Sequence, residues 1–179
     1  MRKVVVTFGL IGGGLITVFL WIMMFLMEKG VLTFDNGDVV GYASMIVALS
    51  MIFFGIKSYR DRYQNGSIKF LTGLQIGLLI SLIAALMYAI GWEVYCQSSP
   101  NTKNNFMDQY TEYCIKKMKD EGASEAEIEK TTKDMNEMKE IYKNFLPRFG
   151  ITLMEIFPVG LAVTLLSASI LRRKGILPE

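Results

Sequence analysis

Four apolar runs, each long enough to cross a bilayer, constrain this chain more than anything else in it. They cover residues 4–27, 39–56, 70–95 and 149–171. A helix needs about 20 mostly apolar residues to span the hydrocarbon core, and there its backbone polar groups must be satisfied within the segment. The sequence predicts an all-α membrane protein with four transmembrane helices in a bundle. The one sizeable polar piece lies between runs three and four, so the chain divides into 1–95 (spans one to three), 96–147 (an extracytoplasmic helical hairpin) and 148–179 (span four and a basic tail). Met1-Arg2-Lys3 ahead of the first run imitates a secretory signal. The run is too long for a signal core and no small-x-small cleavage site precedes Glu28, so a retained first span is expected.

The formal net charge of +2 conceals a sorted distribution. Arg2 and Lys3 precede span one; Lys57, Arg60, Arg62 and Lys69 fill the loop between spans two and three; Arg172, Arg173 and Lys174 follow span four. The connection 28–38 holds Lys29 beside Glu28, Asp35 and Asp38. An even number of spans puts both termini on one side, and the positive-inside rule makes that side the cytoplasm. The eight lysines of 96–147 oppose this, but they are dispersed and outnumbered by acids. Trp21, Tyr88, Trp92 and Tyr95 fall towards outer span ends, as an aromatic belt would. No basic stripe interleaved with aromatics marks a nucleic-acid surface. Histidine is absent, which excludes Ser-His and Cys-His catalysis and removes the commonest metal ligand. No cofactor is implied.

Small residues recur every four positions: Gly9, Gly13 and Thr17; Ser44 and Ala48; Gly73, Gly77, Ser81 and Ala85; Gly160, Thr164 and Ala168. That spacing places each set on one stripe, the pattern by which helices pack in lipid. A homo-oligomer is compatible with a stripe left over. Pro158 removes the backbone donor for the Met154 carbonyl and should kink span four. Two acids lie within spans. Glu93, near the outer end of span three, reads as solvated at the interface. Glu155, about two turns inside span four, reads as a structural acid, protonated or paired with Lys29 or Arg148. A proton- or ion-handling role is the competing reading, since intramembrane acids are functional suspects.

The polar segment predicts two helices, about 106–121 and 125–146. Phe106, Tyr110, Tyr113, Cys114 and Lys117 recur at helical spacing. Gly122 stops the first helix, and Ser124 with Glu127 forms a capping box for the second. Ile128, Met135, Met138, Tyr142 and Phe145 follow a seven-residue repeat with Thr131 as its polar member, and Pro147 bounds the helix or kinks it into span four. The stripe packs against its neighbour, although a Met- and aromatic-rich seam also suits an adaptable partner surface. Cys96 and Cys114 are the two cysteines. A disulfide between them would close a loop of about 19 residues and contribute roughly 3 kcal/mol. A bridge and two free thiols stand level, because sequence does not bring the pair within reach.

Phe54-Gly55-Ile56-Lys57-Ser58-Tyr59-Arg60-Asp61, followed by Asn65-Gly66-Ser67-Ile68-Lys69-Phe70, resembles the span-two-to-three loop of an uncharacterised family of bacterial membrane proteins, domain of unknown function 4199. The 9–14 stretch, and Met154-Glu155-Ile156-Phe157-Pro158 through Arg172-Arg173-Lys174, resemble its first and last spans. The resemblance implies a four-span bacterial inner-membrane protein and supplies no activity, substrate or cofactor. It directs attention to Lys57, Tyr59, Arg60, Asp61 and Glu155, although a positive-inside anchor accounts for the charges of the loop. The sequence thus favours a non-enzymatic interaction protein that displays an outer hairpin to a protein partner while its basic loop holds the anionic leaflet. The alternative is a small transporter or channel component using Glu155 and the Pro158 kink.

Overall fold

The computed structural model describes residues 1–98 and 100–172, the side chains of 100–105 excepted. Among the described residues seven α-helices run in order: α1 (Arg2–Glu28), α2 (Phe34–Leu49), α3 (Met51–Tyr63), α4 (Phe70–Ser98), α5 (Pro100–Asp120), α6 (Glu125–Lys143) and α7 (Phe145–Leu171). No strand occurs among the described residues. Four helices among the described residues are long and apolar enough to cross a membrane: α1, α2 with α3 as one stretch (Phe34–Tyr63), α4 and α7. Arg173 and Lys174 of the basic tail lie outside the described residues.

The second stretch starts five residues earlier than hydropathy predicts and ends seven later. Thr33 explains its start: its N–H donates to Asn36 Oδ1 at 2.9 Å, a capping box that releases α2 from the preceding turn. Ser50, between α2 and α3, keeps helical dihedrals (φ −56, ψ −22). Its hydroxyl donates to the Val47 carbonyl at 2.6 Å. The backbone bonds Ser50 N–H to Ile46 C=O (2.9 Å) and Phe54 N–H to Ser50 C=O (3.3 Å) carry the helix through. Serine back-bonding of this kind bends helices without ending them.

The chain forms two compact units: Met1–Trp92 together with the chain from Thr152, and Glu93–Ile151. In the first, small residues set the helix contacts. A methyl carbon built on Gly73 would meet Ala168 Cβ at 3.2 Å, one on Gly77 would collide with Thr164, and one on Gly160 would meet Ser81 Cβ at 2.9 Å. These pairs advance four residues along α4 as they retreat four along α7, so the two helices pack antiparallel. Gly9 against Ile83, Gly13 against Met87 and Gly91 against Thr17 give α1 and α4 a parallel register. The Trp21 indole N–H donates to the Gly91 carbonyl at 3.1 Å, adding a directional bond at that end. Gly12 lies against the Ala48 carbonyl, and Gly55 against Ile80 and Phe8. Ile16, Leu49, Ile52, Ile56, Ile76, Ile80 and Ile156 fill the core.

In the second unit α5 and α6 contact one another. The turn between them uses Gly122 at φ +79, backbone that a side chain would strain. Ser124 caps α6: its hydroxyl and N–H donate to Glu127 Oε2 at 2.7 and 2.9 Å. Those bonds hold the Glu127 carboxyl below the ordinary carboxylate range. Two boundaries differ from expectation. α5 begins at Pro100, six residues before the predicted start, and α6 ends at Lys143 rather than near 146. Asn144 turns to extended backbone (ψ 134), so Pro147 falls in the first turn of α7, where its missing N–H has no intrahelical acceptor to lose. The α6 seam is also displaced: Ile128, Thr131, Met135 and Tyr142 are half-buried, whereas Met138 and Phe145 are exposed.

Candidate functional site

The loop residues singled out by sequence stand on the last two turns of α3. Lys57 and Tyr59 are half-buried, and the Tyr59 ring stacks on Tyr63 with centroids 5.3 Å apart. Arg60 departs from a simple headgroup anchor. It is 9% exposed, and its Nε donates to Asp61 Oδ1 at 2.7 Å, while Asp61 and Arg62 face outward. The chain then reverses at Asn65 (φ 49) and Gly66 (φ 79). Gln64 and Gly66 N–H groups both donate to the Arg60 carbonyl, at 3.1 and 3.2 Å, which closes the end of α3.

Glu155 and Pro158 are not part of this cluster. Glu155 stands 13 residues before Ala168, and Ala168 is level with the α3 end, so about 20 Å of helix separates them. Met154, Glu155, Phe157 and Pro158 all lie on the exposed side of α7. The expected partners of Glu155 are engaged elsewhere. The Lys29 ammonium sits over the Phe25 ring at 5.5 Å, and Arg148 holds a different acid. α7 continues through Pro158 as one helix.

The strongest polar constellation is one that the sequence reading passed over. Glu93 is 5% exposed and Arg148 3%, so Glu93 is buried and paired, not solvated as expected. Arg148 Nε donates to Glu93 Oε1 at 2.7 Å and its Nη2 to Oε2 at 2.6 Å, a bidentate fork. Its Nη1 donates to the Tyr142 carbonyl at 2.8 Å, in the last turn of α6. That carbonyl has lost its intrahelical donor because the helix stops at Lys143, and a cation there also suits the helix dipole. One side chain thus ties the C-terminal end of α4, the end of α6 and the start of α7. A sequence signal existed, since two opposite charges at facing span ends are candidates for pairing; what was missing was the α6 stop. The pair is a clamp rather than a proton carrier, as the guanidinium does not titrate in proteins.

Cys96 is buried and Cys114 half-buried, and no disulfide joins them. Across α5 and α6 the Lys139 ammonium pairs with Asp108. Among the described residues no three His, Cys, Asp or Glu side chains are grouped to hold a metal ion.

No curated protein and no solved structure matches the chain. A family model does: the one described as protein of unknown function DUF4199 covers residues 7–173, from the first turns of α1 past the end of α7. With nearly all of its length matched, the chain belongs to the DUF4199 family.

Proposed function

We propose that this protein is a non-enzymatic interaction protein of the bacterial inner membrane. Its four spans form a bundle with both termini in the cytoplasm. α5 and α6 stand as a helical hairpin on the periplasmic side and receive a protein partner. One observation carries this reading: α6 buries none of its residues fully, yet it turns Met138 (41% exposed) and Ile141 (45%) outward. Its seam therefore keeps unsatisfied apolar surface of the adaptable kind that partner helices use. The Arg148 clamp supports the same reading, because it anchors the end of α6 while leaving that surface free. A transport pathway would instead be expected to turn its acid inward, towards a polar cavity. Glu155 lies on the outer side of α7, which favours the interaction reading.

A photo-crosslinker at Met138 tests it in native membranes, with the same group at Glu125 as control. A discrete adduct from Met138 alone is expected. Equal, diffuse labelling from both positions would sink the proposal.

A further inference from the structure

Gly73 marks a place where three helices meet. A methyl carbon built there would touch Ala168 of α7 at 3.2 Å and Ile56 of α3 at 3.5 Å. Four residues further towards the same end of each helix stand Arg60 on α3, Lys69 ahead of α4, and Arg172 after α7. The helical turns reach that far: Gly73 N–H donates to the Lys69 carbonyl at 3.1 Å and Arg172 N–H to the Ala168 carbonyl at 3.2 Å. The Arg172 guanidinium lies over the Phe70 ring, 5.9 Å from its centroid, which places it independently beside the start of α4. Three cations therefore gather within about one turn, or roughly 6 Å of helix, beyond the contact plane.

Arg60 is the member built to receive an anion. Asp61 holds its Nε at 2.7 Å, and among the described residues no acceptor takes its two Nη groups. Asp61 is the single acid between Lys57 and Phe70, so the cluster retains positive charge. A mostly buried guanidinium with one edge fixed and the other unfilled matches the planar, bidentate recognition of phosphate. Exposed apolar side chains flank the cations on the same helices: Phe54 (48%), Leu71 (69%) and Ile170 (44%). A free anion has no use for them, whereas the acyl chains of a lipid do.

We propose that Arg60, Lys69 and Arg172 form a binding site for the headgroup phosphate of an anionic phospholipid, with Asp61 presetting the Arg60 fork. The site deepens the membrane reading above and rests on that loop lying at the headgroups. It is tested on the full-length chain in detergent, by native mass spectrometry of retained lipid, with phosphatidylglycerol, phosphatidylcholine and soluble glycerol phosphate as separate additions. Phosphatidylglycerol should be retained in preference to phosphatidylcholine. Arg60→Gln and Arg172→Gln should each weaken it at least about tenfold, the loss of a charge-assisted hydrogen bond. Arg62→Gln, which removes an exposed cation of the same loop, should weaken it no more than about fivefold. Arg60→Lys, checked for a monodisperse elution profile, keeps the charge without the fork and should also lose the preference. Equal losses from all the arginine variants would overturn the site in favour of diffuse attraction, and displacement by glycerol phosphate would overturn the lipid as ligand. Neither outcome depends on α6 crosslinks, so the two proposals fail separately.

Discussion

The guanidinium of Arg148 satisfies three acceptors that would each be costly to leave alone: both oxygens of a buried carboxylate and the Tyr142 carbonyl at a helix end. Removing one member of such a pair strands the other, at about 3–5 kcal/mol. Arg148→Met should therefore lower unfolding stability in micelles by about that much. Glu93→Leu combined with Arg148→Met should cost less than the sum of the single changes, and a double-mutant cycle measures the difference. Additive losses would show that the pair is not coupled. Hydropathy misplaced Glu93 because it weighs distance from the span end and not the residue opposite; its partner lies 55 positions away. Glu155, expected to be protonated or paired with Lys29 or Arg148, stands on an exposed helix face, and Arg148 holds Glu93 instead. Glu155→Gln should leave unfolding stability in micelles unchanged or raise it, because it takes an ionisable group out of a lipid-facing span. The thiols are checked more simply, by the order of alkylation. Cys114 should react before Cys96, which is 3% exposed, and no reaction at either without reductant would mean that they are bridged.

Helix contacts in the membrane unit follow from where side chains are missing. Gly77 approaches Thr164 so closely that a side chain has no room, and beneath it the Ser81 and Thr164 hydroxyls meet at 3.3 Å. Gly77→Val should cost about 1–3 kcal/mol through overpacking. The same change at Gly14 has no neighbour within 4 Å to meet and should gain the difference in helix propensity between the two residues, a few tenths of a kcal/mol. Equal effects at the two positions would refute the α4–α7 register. The small-residue stripes were legible because a spacing of four is a local property; which stripe faces which is not local and came only with the structure. Helix ends divide in the same way. The Ser124 cap was readable from its spacing. The Thr33 cap has the same form but puts Asn36 where the capping-box pattern reads Glu or Gln, so its spacing alone does not mark it. At α6, Glu127 titrates below the ordinary range because the charged form accepts two bonds from Ser124. A depressed folded value means that the cap contributes fully above the unfolded value and is lost as pH falls through the folded one. Ser124→Ala should raise the Glu127 midpoint in a carboxyl NMR titration, and an unmoved midpoint would remove Ser124 as the cause.

At the scale of the molecule, the class was legible and the activity was not. Four long apolar runs leave few alternatives, whereas the residues that tie elements together, Glu93 with Arg148 and Arg60 with Asp61, carry no pattern that names a reaction. Orientation is the statement on which the proposed function depends most, and it rests on charge. The end of α3 and the loop after it carry four cations to one acid within 57–69, and moving such a cluster across a bilayer opposes the positive-inside preference. Glu28–Asp38 carries one cation to three acids, so the two sides of the first hairpin of spans differ by charge alone. Single cysteines at Gln64 and at Ser124, both exposed, should then behave oppositely in a background with Cys96 and Cys114 replaced. An impermeant maleimide added outside intact cells should label the Ser124→Cys chain and spare the Gln64→Cys chain until the membrane is opened. If Gln64→Cys labels first, α5 and α6 lie in the cytoplasm and a periplasmic partner is ruled out. The lipid site formed by Arg60, Lys69 and Arg172 would survive that result, facing the outer leaflet of the same membrane.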